Sequence, residues 1–165
     1  MLKAGDAIPD VEIPATPGLC DDATPLAVLA SRAPLLLYSY PADGTPMCTR
    51  QACMMRDGVA EHAEALASTG LRVAGISPQG RASHDRFAGR HDLGFPIIAD
   101  EDKSILRALG MLGPLGIPRR VTYLLGTSGT IVDATRADLL LGRHKAFLSR
   151  ALARLEGRGE PAAGR

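Results

Sequence analysis

Short apolar runs divide the chain and predict its strands. Residues 35–40 and 71–76 are almost continuously apolar, which is typical of strands that are buried on both faces. Residues 95–99 form a shorter run of the same kind. Residues 121–125 and 130–134 flank a turn-forming Gly-Thr-Ser-Gly segment, so they predict a β-hairpin.

Helices are predicted between these strands, because apolar and small residues recur there at a spacing of three to four. The clearest case covers residues 48–68, and a second helix with Ser83 as its N-cap covers residues 83–91. A final amphipathic helix covers residues 145–155. Since strands and helices alternate before the hairpin, the predicted fold class is α/β, with a mixed central β-sheet flanked by helices on both faces.

The length of 165 residues fits one domain of ordinary size. We expect this domain to cover residues 1–156, because a hydrophobic content of 45% supplies enough apolar surface for a core. Residues 157–165 are polar and rich in Gly and Pro, so they are predicted to form a flexible C-terminal tail.

Charge and composition argue against two classes of partner. The 19 basic and 18 acidic residues leave a net charge of +1, whereas a nucleic-acid-binding surface normally needs a basic excess. No run reaches the roughly 18 apolar residues of a membrane span, and the first six residues lack the apolar core of a secretion signal. The expected location is therefore cytoplasmic, where cysteines are more often reactive thiols than structural disulfides.

The clearest chemical signal lies between the first buried strand and the long helix, in residues 41–53. Cys48 follows the carboxyl end of a buried strand, which is where open α/β sheets place their sites. It also falls in the first turn of the predicted helix, whose unpaired N–H groups and dipole favour a thiolate. Thr45 supplies a hydroxyl three residues earlier, close enough to face the same pocket.

The second cysteine of this segment, Cys53, cannot join Cys48 while the helix is intact. Five helical residues turn the two side chains about 140° apart and separate their Cα atoms by about 8.6 Å. A disulfide requires Cα atoms within roughly 7 Å of each other. Either the two thiols never pair, or the first turns of the helix unwind to let them pair.

Other interpretations of the cysteines remain open on spacing alone. A free cysteine is often only a small buried apolar residue. A zinc site is disfavoured because two-residue spacings are missing, and a thioredoxin-type dithiol because no Cys-x-x-Cys occurs. Cys20, in a turn-rich loop, is predicted to be an incidental thiol, and His84 a surface residue at the start of a helix.

The pattern Pro41-x-x-x-Thr45-x-x-Cys48 resembles the active-site motif of the peroxiredoxins. The longer segment 40–57 is similar to the peroxiredoxin Q group, also called the bacterioferritin comigratory proteins, within the AhpC/TSA superfamily. The likeness extends over nearly the whole chain, with further similar segments at residues 5–10, 75–77, 83–88, 95–100 and 120–123. This resemblance implies a thioredoxin-like fold, which agrees with the predicted mixed sheet.

The resemblance also implies a role for five residues. Cys48 would be the peroxidatic cysteine, whose thiolate attacks a peroxide oxygen and becomes a sulfenic acid. Thr45 would hydrogen-bond the thiolate and the peroxide, and Pro41 would shield the sulfur. Arg120 would stabilise the thiolate and the negative charge on the leaving oxygen. Cys53 would be the resolving cysteine, which condenses with the sulfenic acid into an intramolecular disulfide.

The activity implied by the resemblance is that of a thiol-dependent peroxidase for hydrogen peroxide and organic hydroperoxides. Thioredoxin or a similar dithiol would be the reductant, and no metal, haem or other cofactor is implied. We expect a monomer, with a weak homodimer as the alternative, because an intramolecular disulfide requires no second chain. The alternative function is a thioredoxin-like thiol–disulfide exchange or redox-sensing protein without peroxidase activity.

Two positions depart from the family pattern, and a third bears on the choice of resolving cysteine. Gln51 stands where a glutamate that pairs with an arginine is common, so that arginine would be less neutralised. Met47 stands where glycine is common, and it adds bulk and an oxidisable surface at the pocket mouth. The position on the next helix that can hold a resolving cysteine is Ala88 here, which leaves Cys53 as the candidate and Cys20 as an outside alternative.

Overall fold

Strands and helices alternate along most of the chain in the computed structural model, which describes residues 1–157. The strands are β1 (Glu12–Ile13), β2 (Thr24–Pro25), β3 (Leu35–Ser39), β4 (Arg72–Ser77), β5 (Ile97–Ala99), β6 (Val121–Leu125) and β7 (Ile131–Arg136). The helices are α1 (Leu26–Arg32), α2 (Pro46–Glu61), α3 (Ala63–Thr69), α4 (Arg81–His91), α5 (Ser104–Ala108) and α6 (Gly142–Glu156). Each helix within residues 1–157 is too short or too polar to span a lipid bilayer. The predicted tail lies outside the described residues except for Gly157, which ends α6.

The central sheet has five strands in the order β5-β4-β3-β6-β7. Strands β3, β4 and β5 run parallel to one another, whereas β6 is antiparallel to both β3 and β7. Strands β1 and β2 form a separate antiparallel pair. The α/β class and the mixed sheet are therefore confirmed, and β6 and β7 form the predicted hairpin.

The sheet separates two hydrophobic cores. Side chains alternate along a strand, so Leu35 and Leu37 of β3 enter one core while Leu36 and Tyr38 enter the other. Helices α1 and α5 cover the first core, and helices α2, α4 and α6 cover the second. Residues from the second group of helices therefore share one face of the sheet.

Several helix boundaries differ from those predicted, including the start of α6 at Gly142 rather than residue 145. The long helix begins at Pro46, two residues early, because proline at the first helical position loses no hydrogen bond. It is interrupted at His62, where φ of −109° and ψ of 23° separate α2 from α3. The prediction of Ser83 as an N-cap is wrong, since Gly80 takes that position and Ser83 lies inside the first turn of α4.

Candidate active site

Cys48 lies in the first turn of α2, immediately after the loop that leaves β3. Thr45 is the N-cap of this helix and Pro46 is its first residue. The N–H of Thr49 donates to the carbonyl oxygen of Thr45 at 2.9 Å, so the preceding N–H groups of Met47 and Cys48 have no partner within the helix. These groups and the helix dipole favour negative charge on the Cys48 sulfur.

A buried guanidinium contacts this sulfur. Arg120 is 6% exposed, and its Nη2 donates to Sγ of Cys48 at 3.3 Å. Its Nη1 donates to Oε1 of Gln51 at 2.6 Å. Gln51 follows Cys48 by three residues on the same face of α2, so one guanidinium reaches both side chains. Because neither of these partners is a carboxylate, the positive charge of Arg120 is available to a thiolate.

The backbone around Arg120 is anchored on two sides. The hydroxyl of Ser39, the last residue of β3, donates to the carbonyl of Arg119 at 2.7 Å and accepts from the N–H of Val121 at 3.2 Å. The N–H of Arg120 donates to Oδ1 of Asp138 at 2.9 Å. These contacts orient Arg120, rather than Arg119, towards α2. Sequence reasoning missed Ser39, whose signal was a hydroxyl inside an otherwise apolar run.

The Thr45 hydroxyl is not brought to the sulfur in this state. Thr45 is exposed, and its Oγ1 donates to the carbonyl of Ala42 at 3.4 Å. Pro41 is half-buried at the start of the same loop. Cys48 itself is 1% exposed, so its sulfur lies just beneath the surface in this state. The roles of Thr45 and Pro41 at the sulfur therefore stay predictions.

The remaining two cysteines are separate from Cys48. All three thiols are unpaired. Cys53 is half-buried five residues further along α2. Cys20 packs in the core on the opposite face of the sheet, where its Sγ donates to the carbonyl of Pro14 at 3.5 Å. Cys53 is thus the thiol that shares an element with Cys48. Within residues 1–157, no group of three His, Cys, Asp or Glu side chains could hold a metal ion.

A buried carboxylate ties the loop before α2 to α4. Asp43, whose side chain is 7% exposed, accepts hydrogen bonds from Nδ1 of His84 at 2.8 Å, Oγ of Ser83 at 2.7 Å and the hydroxyl of Tyr40 at 2.7 Å. We call these four residues the Asp43 cluster. Burial alone would raise the pKa of Asp43, but these hydrogen bonds outweigh burial and lower that pKa, so Asp43 is ionised at neutral pH.

The Asp43 cluster corrects the prediction that His84 is a surface residue. His84 is 1% exposed, because α4 packs its side chain against the loop rather than turning it to solvent. Since an ionised carboxylate only accepts hydrogen bonds, Nδ1 of His84 carries the proton in this contact. The sequence offered no signal for this pairing, because 41 residues separate the two partners.

A second buried histidine lies near Arg120. Nε2 of His144 donates to the carbonyl of Ala137 at 3.0 Å, so Nδ1 is the acceptor for the hydroxyl of Thr122 at 2.8 Å. Burial, assisted by the positive charge of Arg120, outweighs the hydrogen bond to Ala137 and lowers the pKa of His144 from its ordinary 6.5. The folded protein therefore holds this imidazole neutral.

Because the pKa of His144 is lowered in the folded protein, we expect the protein to lose stability in mild acid. Below pH 6.5 the unfolded chain protonates at His144 before the folded protein does, so stability falls as the pH drops from 6.5 towards the lowered pKa. One proton contributes at most about 1.4 kcal/mol per pH unit. His144→Gln should be less stable than the parent at pH 7.5 but should lose less stability between pH 7.5 and 5.5 in urea titrations.

His62→Gln is the matched control for that measurement. His62 lies nearer the surface, where its Nε2 contacts Oγ of Ser149 at 2.9 Å. Its replacement should leave the acid-dependent loss as large as in the parent protein. Equal losses in the parent and in His144→Gln would contradict the assignment of this pH dependence to His144.

Comparison with known proteins matches most of the chain to one protein family. Residues 4–134 match the model of the AhpC/TSA family. A protein of Mycobacterium tuberculosis that is provisionally named a peroxiredoxin is 33% identical over 149 residues, which are 87% of this chain and 91% of that protein.

Solved structures of two similar proteins share the fold. Peroxidoxin BcpB from Mycobacterium tuberculosis has a TM-score of 0.78 and 28% identity, and the match covers 97% of this chain and 100% of that one. The bacterioferritin comigratory protein of Xanthomonas campestris, described for its alkyl peroxide reduction activity, has a TM-score of 0.74 and 26% identity over 91% of this chain and 99% of that one.

Proposed function

The chain belongs to the AhpC/TSA family and is a thiol-dependent peroxidase of the peroxiredoxin type, and we propose that Cys48 is its peroxidatic and Cys53 its resolving cysteine. The observation that carries the first assignment is the 3.3 Å contact between Nη2 of Arg120 and Sγ of Cys48. Among residues 1–157 this buried guanidinium has no carboxylate partner, and together with the unpaired N–H groups of the helix start it stabilises a thiolate.

In the proposed oxidation step, the Cys48 thiolate attacks one oxygen of the hydroperoxide. The S–O bond forms as the O–O bond breaks, and the leaving oxygen takes a proton and departs as water or an alcohol. Negative charge passes from the sulfur to the leaving oxygen. Arg120 lies where it stabilises that charge, because its Nη2 already contacts the sulfur. The unpaired N–H groups at the start of α2 add to the positive field there.

In the proposed resolving step, the Cys53 thiol attacks the sulfur of the Cys48 sulfenic acid. A disulfide forms, and the sulfenic hydroxyl leaves as water with the thiol proton. Helix geometry requires the first turn of α2 to unwind for this step. Thioredoxin or a similar dithiol then reduces the disulfide by thiol–disulfide exchange.

We propose both hydrogen peroxide and organic hydroperoxides as substrates. Met47, which precedes Cys48, lines a cavity of about 650 Å³ together with Met54, Leu139 and Leu140. Leu139 is 80% exposed and Leu140 is 60% exposed, so this apolar surface is open to an alkyl group. The alkyl peroxide reduction reported for the Xanthomonas campestris relative supports the same proposal.

The proposed cycle takes place within one chain and begins from free thiols. An intramolecular disulfide requires no partner chain, so we propose a monomer. A reducing compartment keeps Cys48 and Cys53 as thiols between turnovers, so we propose the cytoplasm as the location.

A stopped-flow experiment tests the proposed function. Reduced protein mixed with a small excess of hydrogen peroxide should lose the Cys48 thiol at least about 100-fold faster than free cysteine is lost, because the site stabilises the developing charge. A sulfenic-acid label followed by peptide mapping should identify Cys48. The variant Cys20→Ser should react at the parental rate, and a parental rate equal to that of free cysteine would contradict the proposal.

A further inference from the structure

The side-chain hydrogen bonds between the β3–α2 loop and α4 converge on Asp43. The carboxylate of Asp43 accepts hydrogen bonds from His84 and Ser83 of α4 at 2.8 Å and 2.7 Å. The N–H of Asp43 also donates to Oε1 of Gln79 at 3.1 Å. Both the side chain and the backbone of Asp43 are therefore held by the segment that follows β4. Charge-assisted hydrogen bonds in a buried site are stronger than ordinary loop contacts.

The fastened residue lies close to the start of α2. Only residues 44–47 separate Asp43 from Cys48. Gly44, with φ of 74°, turns the chain in a conformation that favours glycine, and Thr45 then begins the helix. While Asp43 is held, residues 44–47 are the only part of the loop that can change conformation as the first turn unwinds. When Asp43 is released, the mobile segment extends back to the end of β3.

We propose that Asp43 is a positioning residue that holds the first turn of α2 against Arg120, and that its release from His84 and Ser83 precedes formation of the Cys48–Cys53 disulfide. This inference rests on the proposed function, since it assumes that Cys53 resolves Cys48. The Asp43 cluster thereby has a role in the timing of the cycle. In the closed state, Asp43 is bound to His84 and Ser83, and Cys48 reacts with peroxide. In the open state, Asp43 is released from both residues, and Cys48 reacts with Cys53.

The two states lead the sulfenic acid to different products. In the open state Cys53 displaces the hydroxyl of Cys48 as water and forms the disulfide. In the closed state a second hydroperoxide adds an oxygen to the Cys48 sulfur, giving a sulfinic acid and water or an alcohol. The strength of the Asp43 contacts therefore sets the fraction of Cys48 that is lost to sulfinic acid.

The variant Asp43→Asn tests this role. It keeps the shape of the side chain but removes its charge and places an amide N–H₂ where an oxygen accepted hydrogen bonds. The disulfide, measured by acid quench and mass spectrometry after one equivalent of peroxide, should form about tenfold faster than in the parent. The sulfinic acid yield in excess peroxide should fall, and the amides of residues 44–50 should exchange faster in the reduced protein.

A pair of His84 variants separates positioning from general stability. His84→Asn keeps a donor near the position of Nδ1, so it should form the disulfide at the parental rate. His84→Leu removes that donor and should behave like Asp43→Asn. Ser83→Ala removes one hydrogen bond only, so it should fold normally and accelerate the disulfide about threefold.

Asp100→Asn is the matched control. Asp100 is a buried carboxylate that accepts from the N–H groups of Ile105 and Leu106 at 3.2 Å and 2.8 Å, so its replacement loosens α5 rather than the loop before α2. It should lower global stability without changing the rate of the disulfide.

Two results would overturn the inference, and they differ. If the Cys48–Cys53 disulfide forms in the parent but forms no faster in Asp43→Asn and His84→Leu, the role of Asp43 alone is overturned. Failure of the parent protein to form that disulfide at all would overturn the proposed resolving step and the role of Asp43 with it.

Discussion

Replacement of Arg120 by methionine should slow the oxidation of Cys48 by hydrogen peroxide by about 100- to 1000-fold. Methionine fills similar volume but cannot donate a hydrogen bond to Sγ of Cys48 or stabilise charge on the leaving oxygen. It also leaves Oε1 of Gln51 without its donor. The second-order rate constant from stopped-flow measurements on reduced protein is the quantity to compare.

Two further variants show whether the charge or the shape of Arg120 matters. Arg120→Lys keeps a positive charge but cannot reach Cys48 and Gln51 together, so its rate should lie between those of the parent and of Arg120→Met. Arg119→Met is the control, because Arg119 makes no hydrogen bond to Cys48 or Gln51, and its rate should stay within about twofold of the parent.

The same experiment separates the peroxidase from a thiol–disulfide exchange protein. An exchange protein attacks a disulfide and has no developing oxygen charge to stabilise, so loss of Arg120 would affect its chemistry only through the fraction of Cys48 thiolate. If correctly folded Arg120→Met is oxidised as fast as the parent, that result would contradict the assigned role of the guanidinium.

Replacement of Cys53 by serine should reduce turnover supported by a protein dithiol such as thioredoxin to the background rate. The first oxidation should proceed as in the parent, because the hydrogen bond between Arg120 and Cys48 does not involve Cys53. The sulfenic acid should then accumulate, since thioredoxin attacks disulfides and the variant forms none. Sulfenic-acid labelling and a coupled reductase assay measure the two effects separately.

Cys20→Ser is the control for this result. Cys20 packs in the core on the other face of the sheet, so its loss should leave turnover unchanged. Full turnover in Cys53→Ser, together with loss of turnover in Cys20→Ser, would assign the resolving role to Cys20 instead. That outcome would require a rearrangement across the sheet rather than the unwinding of one helical turn.

The sequence by itself determined the features that depend on short stretches of chain. The apolar runs predicted the central strands, and the helical spacing predicted α2, α4 and α6, because both patterns repeat within a few residues. The place of Cys48 at the end of a strand and the start of a helix followed from the same local patterns. Where the prediction failed locally, as at Ser83 and His62, the capping geometry of one or two residues had decided the boundary.

Only the tertiary structure decided which distant residues meet. It brought Arg120 to a sulfur 72 residues earlier, because β6 pairs with β3 and delivers the residue before it to the start of α2. It buried His84 against Asp43 across 41 residues and placed Cys20 and Cys48 on opposite faces of the sheet. Strand pairing and helix packing set such contacts, and no local pattern of polar and apolar residues encodes them.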